Sequence, residues 1–144
     1  MFSWFRTHSS NKIGFDDVLY AIKNPNRYIL INTLPNDSQN CLIKGTIPSE
    51  IEEQTINNYL NQSSNMFPNV IIYGKNSTDL SVDKKERQLI DLGFDEVHIY
   101  SGGMFEWLLL QDIYGISDFP STSKTLDILK YRPHEKLHIL RIHN

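Results

Sequence analysis

The sequence predicts an α/β domain in three layers, in which helices cover both faces of a central, mainly parallel sheet. Three short apolar runs, at 28–32, 70–73 and 97–100, are rich in β-branched and aromatic residues, as is typical of strands buried on both faces. Segments with helical spacing of apolar residues separate these runs, and the connections are short. This alternation favours parallel strands joined by crossover helices.

The first helix and strand are predicted from residues near the start of the chain. Asp16 or Asp17 is expected to cap the helix, since aspartate is a favoured N-cap residue. The helix should run through Ile22 and end before Pro25, because the residue preceding a proline disfavours helical geometry. The strand at 28–32 follows, and a polar loop with turn-forming residues closes this unit.

A second extended segment and a second helix are predicted next. The segment at 41–47 is apolar and short, which is typical of a strand. Ser49 and Glu52 have the spacing of a capping box, so we expect a helix at 50–60. The positions available for its inner face are Ile51, Thr55, Ile56, Tyr59 and Leu60.

The stretch at 70–94 predicts a strand, a tight polar loop and an amphipathic helix that ends at Gly93. In an α/β domain such a junction is the usual place for chemistry, because backbone N–H groups at the helix start favour an anion. The candidate site is therefore this loop. Its residues are Gly74, Lys75, Asn76, Ser77, Thr78 and Asp79.

The last strand and helix are predicted at 97–100 and 104–113, with a turn at Gly102 and Gly103 between them. The apolar residues of this helix are expected to lie in the core rather than to hold a cofactor. They are Met104, Phe105, Trp107 and Leu108.

These elements divide the chain into three parts. An N-terminal arm is predicted at 1–12, one domain at 13–120, and a C-terminal helix and tail at 121–144, with the helix at 125–131. The arm has aromatic residues that could pack on the domain. They are Phe2, Trp4 and Phe5.

Composition limits the class of protein. The chain has 144 residues, which is enough for one domain with a sizeable core. A net charge of -3 and a sequence pI near 5.9 give no basic footprint, so neither nucleic acid nor a membrane is an expected partner. The single cysteine excludes an internal disulfide. The sequence has neither a signal peptide pattern nor a run of about 20 apolar residues, and we expect a cytoplasmic protein.

Motifs spread over 13–120 point to a known family. Gly102 and Gly103 are followed by Trp107, and a Leu-Gly-Phe segment at 92–94 precedes the last strand. Together with the order of elements, these motifs resemble the rhodanese-like family, small α/β domains that include sulfurtransferases and, more distantly, cysteine phosphatases of the cell-cycle type. The resemblance implies a rhodanese-like fold with a central, mainly parallel sheet.

Two further motifs of that family are present in altered form. Where members typically carry Asp-x-Arg after a strand, this chain has Asn32 and Leu34. Where they carry Gly-His-Ile-x-Gly-Ala, the segment at 41–46 keeps Ile43 and Gly45 but lacks the histidine. The surroundings of the loop therefore depart from the catalytic members.

The loop determines the activity that the resemblance implies. Gly74 stands where the family has its nucleophilic cysteine, and Asp79 stands where the loop often has an arginine. Sulfur transfer and phosphoryl transfer in this family both need a thiolate, which glycine cannot supply. Asp79 would repel an anionic substrate, and we expect it to cap the helix. The chain is therefore predicted to be a pseudoenzyme that acts as a binding or scaffolding module.

An enzyme of altered chemistry is the alternative prediction. It would be a sulfurtransferase or a related enzyme that uses Cys41, or an anion bound over 74–79. No histidine or arginine adjoins Cys41 in the sequence, so we expect this residue to be a small buried hydrophobe. The expected partner is a protein or a small anion, and neither a cofactor nor a metal is expected.

Two other groups of residues resemble known sites. The string at 134–138 spells H-E-x-x-H, but a zinc protease needs it on a helix with a third ligand, and only His143 follows it. Asp95, Glu96 and Glu106 could form an acid–base pair, yet no positioned partner accompanies them. We therefore expect Asp95 and Glu96 to be solvated at the entrance to a strand, and the histidines to lie in a solvated tail.

Overall fold

A computed structural model describes residues 11–62 and 66–137 of the chain. Within these residues the backbone forms one five-stranded sheet in which every neighbouring pair of strands is parallel. The strands are β1 (Lys12–Ile13), β2 (Tyr28–Asn32), β3 (Thr46–Ile47), β4 (Asn69–Tyr73) and β5 (Val97–Tyr100), in the spatial order β1-β5-β4-β2-β3. The helices are α1 (Phe15–Ile22), α2 (Ser49–Leu60), α3 (Ser81–Asp91) and α4 (Gly103–Tyr114). Single turns of 3-10 helix lie at Asn36–Ser38 and Ile128–Tyr131.

An apolar core lies on each face of the sheet. Successive residues of a strand point to opposite faces. In β4, Ile71 and Tyr73 join the core shared with α1 and α4, whereas Val70 and Ile72 join the core shared with α2 and α3. This arrangement confirms the predicted three-layer α/β/α fold with a parallel sheet.

The strands β2 and β4 end at the same level. Their pairing runs from Tyr28 opposite Asn69 to Asn32 opposite Tyr73. Directly beyond it, the N–H of Thr33 donates to the carbonyl of Tyr73 at 3.0 Å. The segments that leave these two strands therefore lie side by side at the carboxyl edge of the sheet, where parallel sheets usually bind ligands.

The extended segment predicted at 41–47 is a regular strand only at its end, in β3. The N–H of Ile43 donates to the Tyr73 hydroxyl at 3.1 Å, and the N–H of Leu42 donates to Oγ1 of Thr122 at 3.0 Å. Side chains from distant parts of the chain thus satisfy N–H groups that a longer strand would pair with its neighbour.

The capping box predicted for α2 is wrong. The helix begins at Ser49 with Pro48 as its N-cap residue, and no side chain of the described residues caps it through that position. Instead, the N–H of Ser49 donates to Oε1 of Gln39 at 3.0 Å. Of the positions predicted to face inward, Ile56 is buried but Ile51 is 45% exposed.

The start of α1 also differs from the prediction. Gly14 is the N-cap residue, and Asp16 and Asp17 lie in the first turn, where their charges still complement the helix dipole. Lys12 belongs to the edge strand β1 and pairs with Ile99. Residues 1–10, with the aromatic side chains of the predicted arm, lie outside the described residues.

The C-terminal helix predicted at 125–131 is a single 3-10 turn, Ile128–Tyr131, which packs on α4 and buries the Tyr131 side chain. Within 11–62 and 66–137, no helix combines the length and the apolar character needed to cross a membrane.

Candidate functional site

The candidate loop joins the carboxyl end of β4 to the first turn of α3, and its own side chains hold it closed. Oδ1 of Asn76 accepts the N–H of Thr78 at 2.9 Å and the Thr78 hydroxyl at 2.7 Å. The Asn76 carbonyl accepts the N–H of Asp79 at 3.3 Å. Since Asn76 is only 8% exposed, it forms the interior of a turn whose polar groups bond to one another.

The side chain of Asp79 fills the space beside Gly74. A Cβ atom on Gly74 would contact Oδ2 of Asp79, and would lie 2.9 Å from Cγ of Asp79 and 2.8 Å from Cγ2 of Val82. Gly74 is not among the described glycines that have a positive φ, so its backbone does not require glycine. Steric crowding by Asp79 and Val82, rather than backbone conformation, therefore accounts for the glycine at this position.

The Asp79 carboxylate also takes the donors that an anionic ligand would need. Its Oδ2 accepts the N–H of Lys75 at 2.9 Å. Its Oδ1 accepts the N–H of Ser81 at 3.1 Å and the Ser81 hydroxyl at 2.6 Å. Leu80 is the N-cap residue of α3, so Asp79 serves the first N–H of the helix from one position earlier. The expected capping role of Asp79 thus includes closing the loop.

The start of α4 presses on the same loop from the other side. Gly103 has a φ of 66°, and a Cβ there would lie 2.8 Å from the Gly74 carbonyl oxygen and 2.9 Å from the Asn76 nitrogen. Two N–H groups at the start of α4 donate to the loop, from Met104 to the carbonyl of Gly74 at 2.9 Å and from Phe105 to that of Lys75 at 2.8 Å. The positive end of this helix therefore faces loop carbonyls rather than an external anion.

Cys41 is buried close to the root of the loop. Its side chain is 3% exposed, and its thiol donates to the carbonyl of Ser123 with an S–O distance of 3.3 Å. Nearby, the hydroxyl of Tyr73 lies 2.8 Å from the hydroxyl of Thr46. Burial raises the pKa of Tyr73 above its ordinary value, and the neighbouring Cys41 and Tyr131 raise it further, against the lowering effect of its hydrogen bonds. The burial predicted for Cys41 is thus confirmed, and a backbone carbonyl accepts a hydrogen bond from its thiol.

Asn32 forms a neutral amide pair with Gln39. Its Oδ1 accepts from Nε2 of Gln39 at 2.7 Å, and its Nδ2 donates to Oε1 of Gln39 at 3.1 Å. Asn32 also accepts the N–H of Leu34 at 3.0 Å and donates to the Ile47 carbonyl at 3.3 Å. Because Gln39 also binds the first N–H of α2, this pair joins β2, the loop after it and α2. An aspartate at position 32 would lose both hydrogen bonds that Nδ2 of Asn32 donates, to Gln39 and to the Ile47 carbonyl.

A cavity of about 460 Å³ lies over the loop, between the ends of β2 and β4. Polar side chains of both segments line it, and the exposed His134 closes one side. The lining residues that carry polar side chains are Thr33, Lys75, Asn76, Thr78, Asp79, Ser81 and His134. Ser77, the remaining loop residue, lies beside a much smaller space of about 40 Å³ near Tyr100. The cavity thus brings one lysine and one histidine close to the Asp79 carboxylate.

The carboxylates considered as an acid–base pair have separate partners. Oε1 of Glu106 accepts the hydroxyl of Tyr100 at 2.7 Å, and burial together with this bond raises the pKa of Tyr100 well above its ordinary value. Glu96 lies 3.5 Å from His98, and Asp95 is exposed. These acids do not converge on one cavity of the described structure.

The H-E-x-x-H string lies only partly within the described residues. His134 is exposed, and residues 133–136 form no helix, whereas His138 and His143 lie outside the described residues. Within the described ranges, no group of three histidine, cysteine, aspartate or glutamate side chains could hold a metal ion.

Sequence reasoning missed three residues that shape the site. Gln39, Tyr73 and Tyr131 each join segments that are distant along the chain. For Tyr73, its place at the end of a strand directly before the loop was a usable signal. The partners of Gln39 and Tyr131 depend on tertiary contacts, and no local pattern indicates them.

Comparisons with known proteins bear on the fold. No family model matches the chain, and no curated protein matches it either. Among solved structures, a protein from Bacillus halodurans is similar with a TM-score of 0.57 and 20% sequence identity, over 78% of this chain and 79% of that chain. A full-length protein from Lactobacillus plantarum is similar with a TM-score of 0.56 and 20% identity, over 76% of this chain and 91% of that chain. At this identity the likeness supports the α/β fold alone.

Proposed function

We propose that this chain is a rhodanese-like domain that carries out no sulfur transfer and acts in the cytoplasm as a binding or scaffolding module. The observation that carries the proposal is the position of Asp79, whose carboxylate fills the space beside Gly74. Sulfur transfer needs a thiolate at the start of this loop, to accept sulfur as a persulfide. This loop has neither the thiol nor the room for one.

The burial of Cys41 also supports a non-catalytic role. A nucleophilic cysteine needs access to substrate and a neighbouring positive charge or base that favours the thiolate. The Cys41 thiol is buried, and its hydrogen bond to the Ser123 carbonyl is one that only the protonated form can donate. Both features support a structural role for the Cys41 thiol.

The hydrogen bonds of the loop favour a protein partner over a small anion. The N–H groups of Lys75, Thr78 and Ser81 are already bonded to side-chain oxygens of Asn76 and Asp79. To bind the N–H groups of Lys75 and Ser81, an oxyanion would have to displace the Asp79 carboxylate. Because Asp79 is part of the chain, its hydrogen bonds do not cost the translational entropy that a free ion loses on binding. A protein partner could instead contact the outer surface of the loop and leave these bonds intact.

One observation favours the alternative, an active enzyme that binds an anion over 74–79. The cavity of about 460 Å³ above the loop contains Lys75 and His134, two side chains that can carry positive charge. Asp79 lines the same cavity, and its negative charge opposes an anion there. We therefore rank this alternative second.

The proposal can be tested by measuring thiocyanate formation from thiosulfate and cyanide with the purified protein. We expect no rate above that of buffer, and the same result for Cys41→Ser. Turnover by the wild-type chain that Cys41→Ser abolishes would overturn the proposal. Turnover that persists in Cys41→Ser but is lost in Lys75→Ala would overturn it in favour of the anion-binding enzyme.

A further inference from the structure

After α4 the chain returns to the carboxyl edge of the sheet and covers the segment that contains Cys41. The N–H of Lys44 donates to the carbonyl of Pro120 at 3.1 Å, and the N–H of Thr122 donates to that of Leu42 at 2.8 Å. An antiparallel bridge links Ile43 and Ser121 between these two bonds. Residues 119–123 are thus firmly joined to the body of the domain.

The next residues, 124–134, form a strap that is attached in a different way. Its main attachment is Tyr131, whose ring is 1% exposed. The Tyr131 carbonyl accepts Nδ2 of Asn76 at 2.9 Å, and the Tyr131 ring belongs to the buried core cluster that also contains Cys41. Tyr131 therefore connects the strap with the candidate loop and with the core.

The strap is poorly packed between its two attachments. Leu126 is 95% exposed, and Lys124 and Asp127 are exposed as well. A cavity of about 190 Å³ lies between α4 and the first part of the strap, with Lys124 and Thr125 on its wall. Segments with few buried contacts are those that open locally at low free energy, so this stretch can act as a hinge.

The strap also forms part of the candidate site. His134, at its far end, lines the cavity over the loop together with Lys75 and Thr78. Cys41 and Tyr131 belong to the same buried core cluster, so the Tyr131 ring and the thiol share one apolar environment. Movement of the strap would change both the cavity wall and the cover of Cys41.

We propose that residues 124–134 are a lid that opens locally about the hinge at 124–127, with the Tyr131 side chain as its latch. Opening uncovers the surface that Cys41 and Asn76 form between the loops after β2 and β4. This inference goes beyond the proposed function, since it holds whether or not the loop is catalytic. Access to the candidate site then depends on whether residues 124–134 are open or closed.

The single cysteine of the chain is a natural reporter of this opening. The experiment measures the rate at which N-ethylmaleimide alkylates Cys41 in the folded full-length protein, at several low urea concentrations. We expect a wild-type rate that hardly depends on urea, because local opening exposes little surface. We expect Tyr131→Ala to react at least about tenfold faster, because it removes the buried latch.

Two further variants keep the test decisive. Leu126→Ala changes an exposed residue of the same strap and should react at the wild-type rate. Asn76→Asp keeps the side-chain oxygen that accepts from Thr78 but loses the bond to the Tyr131 carbonyl, and it should react about threefold to tenfold faster. This variant tests the latch even if Tyr131→Ala does not fold. A wild-type rate with the urea dependence of global unfolding would overturn the proposal. Equal rates for Asn76→Asp and Leu126→Ala would overturn it as well.

Discussion

Asp79 occupies the space that a side chain on Gly74 would need, and the same carboxylate accepts the N–H of Lys75 at 2.9 Å. The absence of a side chain at position 74 and the closed loop are therefore one structural feature. A thiol introduced at position 74 would meet Asp79 before it met a substrate. Gly74→Cys alone would leave the loop closed.

A double-mutant cycle measures how strongly Gly74 and Asp79 depend on each other. We expect Gly74→Ala to lower the free energy of unfolding by about 1–3 kcal/mol through overpacking. Asp79→Ala should lower it by about 1–3 kcal/mol through lost hydrogen bonds. The double variant should lose at least about 1 kcal/mol less than the sum, because Asp79→Ala removes atoms that the new methyl group meets. Urea unfolding measures all four proteins.

Gly14 supplies the control for this cycle. A Cβ there would have no neighbouring atom within 4 Å, so Gly14→Ala should combine additively with Asp79→Ala. Additive effects of Gly74→Ala and Asp79→Ala, within about 0.5 kcal/mol, would contradict the crowding of these two residues.

The close contact between α4 and the loop predicts that Gly103 cannot be replaced. Gly103→Ala would combine a positive φ with a Cβ 2.8 Å from the backbone oxygen of Gly74. We expect it to lower the free energy of unfolding by at least about 2 kcal/mol. Gly45→Ala is the control, since Gly45 also has a positive φ but a Cβ there would lie 3.9 Å from its nearest neighbour, Cδ1 of Leu30, and it should lose about 1 kcal/mol. Equal losses in urea unfolding would show that the contact with the loop contributes nothing.

The amide pair of Asn32 and Gln39 predicts that an aspartate does not fit at position 32. Asn32→Asp removes the donor to Gln39 and the donor to the Ile47 carbonyl, and turns a carboxylate toward their oxygens. We expect a loss of about 1–3 kcal/mol at pH 7. The exposed Asn58→Asp is the control and should change the free energy of unfolding by less than about 0.5 kcal/mol. A neutral result for Asn32→Asp would mean that the amide pair is not needed.

The raised pKa of Tyr100 predicts a specific loss of stability in alkali. Its folded pKa lies above the unfolded value of about 10, so its contribution is complete below that pH and is lost as the pH rises further. The wild-type protein should therefore lose stability above pH 10 more steeply than Tyr100→Phe, by up to about 1.4 kcal/mol per pH unit. Tyr20→Phe, at a half-exposed site, should follow the wild-type curve. Urea unfolding between pH 8 and 11 measures the slopes, and parallel curves for wild type and Tyr100→Phe would contradict the prediction.

The sheet and its crossover helices could be predicted because each depends on local pattern. The strand β4 is a continuous apolar run, and α3 ends at Asp91, followed by Leu92 as C-cap residue and by Gly93 with the positive φ of a helix stop signal. The start of α2 could not be predicted, because the N–H of Ser49 is bonded by Gln39, ten residues earlier in the chain. A capping box is a local signal, and here a tertiary contact overrides it.

The sequence predicted where the candidate loop lies, but not that Asp79 closes it. The polar loop after β4 and its glycine were visible in the sequence. Neither Gly74 nor Asp79 alone indicates that the Asp79 side chain packs against Gly74, because that contact depends on the loop conformation. The hydrogen bond of the Cys41 thiol could not be predicted for a similar reason, since its acceptor, the Ser123 carbonyl, lies 82 residues further along the chain.

The closed loop is tested most directly by titrating the 15N-labelled protein with thiosulfate, sulfate and phosphate, and following the amide signals of Lys75, Thr78 and Ser81. Sodium chloride at equal ionic strength is the control. Since these N–H groups are bonded to Asn76 and Asp79, we predict no saturable change beyond that seen with chloride. A saturable shift of the Lys75 and Ser81 amides with an oxyanion, absent with chloride, would contradict the account of a loop closed by Asp79.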